Sequence, residues 1–187
     1  LKEGIAHTLD ETRNLSDSGQ FEDISLQQGI RQILYPYEEM EVLNPEWEVI
    51  LKDIIDSLFE QMSDEEYNIL NEEFGTYMVS RAYEYRQLLE YFVFRYFAKS
   101  IYDYDFLGKC QMLVTNFFVI RQMDIIRWLD NHREYSFKDR MDVVHIFSRQ
   151  VEYSEDNIEN LYEDFIFDDI FKTDSLIAIL WIDSENI

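Results

Sequence analysis

Apolar residues recur at helical spacing along most of this chain, and the clearest run follows Asn44-Pro45. Trp47, Ile50, Leu51, Ile54, Ile55, Leu58 and Phe59 share one side, while Glu48, Lys52, Asp56 and Glu60 take the other. Asparagine caps a helix and proline is tolerated in its first turn, so a helix starts here. Ser63 and Glu66 are spaced as a capping box that opens the next one. Upstream, residues 1–14 read as the end of a helix and 14–20 as a loop. Residues 21–35 form a helix interrupted by Gly29 and ended by Pro36.

From 76 to 102, and again from 106 to 132, the pattern turns apolar nearly all round, which marks helices enclosed by others. Tyr102-Asp103-Tyr104-Asp105 separates them, and the polar series Asp130-Asn131-His132-Arg133 ends the second. Ser136 caps a helix with Met141, Val144, Phe147 and Val151 on one face. Ser154 caps another with Ile158, Leu161, Tyr162 and Phe165 inward, and a short helix over 175–182 closes the set. The expected fold is an all-α, single-domain bundle of about seven or eight helices, with 88–102 and 106–129 as two buried central helices. Aspartate at Leu113 or Phe97 is then expected to unfold it.

Composition agrees with this. Aromatic residues make up 16% of 187, with two prolines and five glycines, as suits long helices with bulky interfaces. Arg95 and Lys99 in one apolar run, and Arg121, Asp124 and Arg127 in the other, argue against membrane spans. Cys110 stands alone, so neither a disulfide nor a cysteine-held metal centre can form within the chain, and a reducing, cytoplasmic setting fits. Its expected role is a small core residue.

The formal charge is -23 and unevenly spread. Residues 38–73 hold 13 acids and one base, and residues 151–187 hold 11 acids and one base, whereas 79–150 has 11 bases and 9 acids. Acidic flanks of that density repel a phosphate backbone and exclude nucleic acid as a partner. They act as solvated helix faces or as a field that draws in a lysine-bearing protein.

Candidate chemistry is sparse. There is no glycine-rich loop for a nucleotide or S-adenosylmethionine, no Glu-x-x-His pair for a metal, and a single Asp142/His145 pair three residues apart. No metal site is expected. Arg121, Asp124 and Arg127 sit every three residues on an apolar helix, with Arg95 one helix earlier; each is either part of a buried ion pair or a grip for a carboxylate. Arg149, Glu152, Glu155 and Asn157 form the last group, either a capped helix corner or an acidic corner that holds a lysine ammonium.

Three stretches carry a family resemblance: Leu88-Leu89-Glu90-Tyr91-Phe92-Val93-Phe94-Arg95-Tyr96-Phe97, then Val119-Ile120-Arg121-Gln122-Met123-Asp124-Ile125-Ile126-Arg127-Trp128-Leu129, then Phe147-Ser148-Arg149-Gln150-Val151-Glu152-Tyr153-Ser154-Glu155-Asp156-Asn157. Together they resemble the C-terminal helical region of the flagellin lysine N-methylase family. The resemblance implies S-adenosylmethionine-dependent methylation of a protein substrate, flagellin. It also implies an iron-sulfur centre held by upstream cysteines in the full-length proteins, with neither cofactor expected in this chain. The chain then reads as the C-terminal part of a longer protein, inactive by itself and partnered by the upstream part. The alternative is an acidic helical interaction module that binds a basic partner.

Overall fold

The structure, a computed structural model, describes residues 24–185. The expected helix over 1–14 and the loop over 14–20 lie outside the described residues. All regular structure among the described residues is helical.

Helix α1 (Leu26–Glu38) starts at Ser25, whose hydroxyl accepts from the Gln28 N–H at 3.2 Å. It runs through Pro36 instead of ending there. The proline removes one helical hydrogen bond, but Tyr37 is fully buried one residue later. Its hydroxyl donates to Asn116 at 2.8 Å, and that tertiary anchor holds the last turn. Gly29 has a packing reason, since a Cβ there would lie 2.9 Å from the Ile179 side chain.

Helix α2 (Pro45–Ile54) is capped by Asn44 and continues as a π-helical turn over Ile55–Glu60; Trp47, Leu51, Ile54 and Leu58 point inward. Helix α3 (Asp64–Met78) opens with the capping box of Ser63 and Glu66, as the sequence indicates. A 3-10 turn at Val79–Arg81 leads to α4 (Ala82–Tyr96), and a second at Phe97–Lys99 leads to the single turn α5 (Ser100–Asp103).

Helix α6 (Phe106–Asp130) is the centre. At 25 residues it is about 37 Å long, and it packs against α1, α2, α4, α7 (Phe137–Phe147), α8 (Glu155–Phe167) and α9 (Thr173–Glu185). A π-helical turn, Ser148–Glu152, joins α7 to α8. A 3-10 turn at Asp169–Phe171 then precedes α9. No described helix is long and apolar enough to cross a membrane.

Only one of the two expected central helices is central. From Phe118 to Ile126 every residue of α6 is buried. The 88–102 stretch is instead a half-covered helix and a turn: Leu88, Phe92 and Tyr96 face the core, while Phe94 is 84% exposed and Tyr102 85% exposed. Aromatic density there marks a surface. On α7 the inward residues are Arg140, Val143, Ile146 and Phe147, whereas Met141 is exposed.

Candidate functional site

The residues singled out in the sequence separate into internal and external ones. The π-helical turn between α7 and α8 gives Glu152 a position facing α4, where it is buried. Its carboxylate accepts from the Tyr91 hydroxyl at 3.1 Å and the Tyr96 hydroxyl at 3.0 Å, with Arg95 Nε at 3.8 Å. Burial, followed by the adjacent Glu152 charge, pushes both phenols up, so each stays a donor. Arg149 is exposed and makes no ion pair with Glu152 among the described residues. Glu152 turns inward and Arg149 outward, so these two neighbours do not pair.

Asn157 is fully buried. Its Oδ1 accepts from the Glu41 N–H at 3.0 Å, and its Nδ2 donates to the carbonyls of Glu41 and Gln150, both at 3.1 Å. Gln150, which sequence reasoning passed over, accepts from the Leu43 N–H at 2.9 Å and donates to the Glu41 carbonyl at 2.7 Å. These two amides pin the loop between α1 and α2 onto the start of α8. Ser154 caps α8 through the Asn157 N–H at 3.1 Å, and Glu155 is exposed in its first turn. Asn157→Ala takes a partner from the part-buried backbone of Glu41 and from the buried Gln150 carbonyl and is expected to destabilise the chain by about 1–3 kcal/mol, read as a lowered urea midpoint with an unchanged helical spectrum.

The arginine row of α6 does not pair within itself. Arg121 donates to Asn71 Oδ1 at 2.8 Å and lies 3.6 Å from Asp183, itself bonded to Asn71 at 2.8 Å. Asp124, fully buried, accepts from Tyr85 at 2.7 Å and from the Tyr135 hydroxyl and Arg140 Nη1. Burial pushes the Asp124 carboxyl up, opposed by Arg140 and the two hydroxyls. Arg140 continues to Glu84 at 3.3 Å, and Glu84 to Arg81 at 2.8 Å. Arg140 Nη2 has no hydrogen-bond partner, and the guanidinium lies 4.3 Å from the Tyr85 ring centre. Arg127 forms no ion pair among the described residues. Arg121 and Arg140 are thus engaged by the fold.

Apart from a cavity of about 820 Å³ bordered by Tyr77, Asp130, His132, Tyr135 and Asp139, a groove lies between α1 and α8. A cavity of about 190 Å³ has Pro36, Met40 and Leu161 as an apolar floor and Glu39, Glu163 and Asp164 as walls, with Asn157 and Asn160 at one end. A second cavity, of about 540 Å³, is lined by Gln32, Tyr35, Asp168 and Ile170 among others. The Tyr35 hydroxyl, which borders the second cavity, donates at 3.0 Å to Glu39 of the first. That hydrogen bond raises the phenol. Nearby cations are already engaged, Arg31 by Glu38 and Lys172 by Asp169. Glu163, Asp164 and Asp168 form no ion pair among the described residues. Asp164 is half-buried, and its carboxyl is pushed up first by burial and then by Asp168, Glu39 and Glu163. Asn157, Asn160, Leu161 and Asp164 follow helical spacing on α8, but Glu39 arrives from more than a hundred residues earlier.

Residues 2–179 match the family described as the FliB lysine N-methylase C-terminal domain. The chain belongs to that family. No curated protein and no solved structure was found to match it. An iron-sulfur centre, which the resemblance implies for full-length proteins, does not fit the residues of this chain. The one cysteine, Cys110, cannot supply the several thiolates of an iron-sulfur centre, and burial pushes that half-buried thiol up, away from the thiolate form. Among the described residues no group of three or more metal-ligating side chains is placed to hold an ion. Asp142 pairs with Lys138, and His145 is exposed. Arg121, a candidate for gripping the carboxylate of S-adenosylmethionine, is engaged through Nε and Nη2 by Asn71, with Asp183 at 3.6 Å.

Proposed function

We propose that this FliB domain serves in a cytoplasmic, S-adenosylmethionine-dependent flagellin lysine N-methylase by holding the lysine-bearing surface of flagellin, while the methyl-transfer chemistry is carried by the upstream part of the enzyme. The observation that carries this reading is the carboxylate-walled cavity between α1 and α8. A lysine stem would lie over Pro36, Met40 and Leu161, with its ammonium among Glu39, Glu163 and Asp164. Each partly exposed carboxylate contributes about 0.2–1 kcal/mol, so three acting together give weak, salt-sensitive attraction suited to presenting a substrate.

Titration calorimetry with a flagellin peptide and its lysine-acetylated form tests this. The unmodified peptide is expected to bind and the acetylated one to fail, and Glu39→Gln/Glu163→Gln/Asp164→Asn is expected to lose binding with an unchanged melting temperature. Equal binding of both peptides would remove the groove from the account. The isolated chain is expected to transfer no methyl group.

Acidification supplies a second check. The cation is held by the ionised carboxylates, and Asp164 in the unbound groove has a raised pKa. Affinity is therefore complete above that raised value. It should begin to fall, as pH drops, at a higher pH than an ordinary carboxylate would give.

The same groove would serve an acidic interaction module that binds a basic partner. Peptide binding by the groove, combined with no lysine methylation by the parent protein, would favour that reading.

A further inference from the structure

We infer that the exposed aromatic ridge formed by the end of α4, α5 and the start of α6 is the surface on which the preceding part of the same polypeptide docks. Phe94, Ile101, Tyr102, Tyr104, Phe106 and Leu107 are all exposed, from 53% at Leu107 to 90% at Tyr104. Contiguous apolar surface of this kind marks an interaction site in a water-exposed protein.

The ridge is held in place. Phe97 packs on Phe106 with ring centres 5.1 Å apart, Asp105 caps α6 through the Gly108 N–H at 2.8 Å, and Lys109 ties the turn through Asp103 at 2.9 Å. Tyr104 has φ 58°, a left-handed conformation that favours glycine or asparagine and costs a side-chain-bearing residue about 1–3 kcal/mol. A tyrosine there with its ring in solvent adds nothing to this domain's own core. Contact outside the domain supplies the reason for it.

Charge and family placement select the occupant. Local charge cancels at the ridge, Asp103 and Asp105 against Lys109 and the exposed Lys99, and Glu90 against Arg86. The ridge therefore stands apart from the negative excess of a chain carrying -23, whereas two whole copies repel each other. The matched family model describes a domain at the C-terminal end of its parent proteins. A tethered neighbour needs no high concentration to settle on an apolar surface. This inference is independent of the lysine groove on α1 and α8.

Hydroxyl-radical footprinting of this chain alone and of the monomeric parent protein tests it. Tyr102, Tyr104 and Phe94 are expected to oxidise readily in the isolated chain and to lose that reactivity in the parent. Phe94→Ser/Tyr102→Ser/Tyr104→Ser should leave the melting of the isolated chain unchanged. In the parent it should restore oxidation at Phe106 and split one melting transition into two. Equal reactivity in both proteins, a parent with no polypeptide ahead of this domain, or protection that appears only when the isolated chain sediments as a dimer or meets phosphatidylcholine vesicles would each overturn the proposal.

Discussion

Ile120→Asp is expected to leave the chain without a cooperative urea transition. Ile120 is fully buried near the middle of α6, where neighbouring residues are buried as well. Losing a buried branched side chain costs about 2–5 kcal/mol. A carboxyl in its place is forced toward the neutral form by about 3–5 pKa units at about 1.4 kcal/mol each. The combined penalty is comparable to the whole stability of a domain, about 5–15 kcal/mol. Phe97→Asp and Leu113→Asp, which the sequence pattern also marks as unfolding, fall on half-buried positions. There the carboxylate can reach water, so their cost is expected to be about 1–3 kcal/mol, and the chain should still melt cooperatively. Unfolding curves of the three variants check this ordering, and a cooperative, wild-type-like transition for Ile120→Asp would show that α6 is not the centre.

Arg140→Met is expected to be the most damaging change in the polar interior. It leaves the fully buried Asp124 with two tyrosine donors and no cation, and removes the link to Glu84. Breaking one partner out of a buried pair costs about 3–5 kcal/mol. The double change Asp124→Leu/Arg140→Met removes both charges together and is expected to recover part of that loss, as apolar replacements of buried pairs do. Urea midpoints of the two single variants and the double measure the coupling. Strict additivity would mean that the pair contributes nothing beyond its separate side chains.

These networks also decide what the corner residues singled out in the sequence can do. Glu152 closes a buried chain in which Tyr37 donates to Asn116, Asn116 reaches Tyr96 at 3.5 Å, and Tyr96 donates to Glu152. A substitution at Glu152 therefore acts on the core before it acts on any substrate. Of the four corner residues, Asn157 lines the groove between α1 and α8, and its own polar atoms are engaged in holding the loop at Glu41.

The sequence by itself determined the helical class, the capped starts at Asn44, Ser63, Ser136 and Ser154, and the burial of α6. Each depends on residues within one or two turns of each other, so local spacing and capping chemistry suffice. Tertiary structure decided the rest. An aromatic run at 88–102 gives the same apolar count whether its rings face a neighbour or solvent, and only the placement of α4 against α6 and α7 shows that half of them face out. Pro36 stays inside α1 because Tyr37 is anchored by Asn116, 79 residues away. Arg121 and Asp124 look like partners at helical spacing, yet each is satisfied from another helix, by Asn71 and Asp183 and by Arg140 and two tyrosines. The groove between α1 and α8 joins Glu39 to Asp164 across a separation that no local pattern encodes, because burial and charge pairing are set by which helix faces meet.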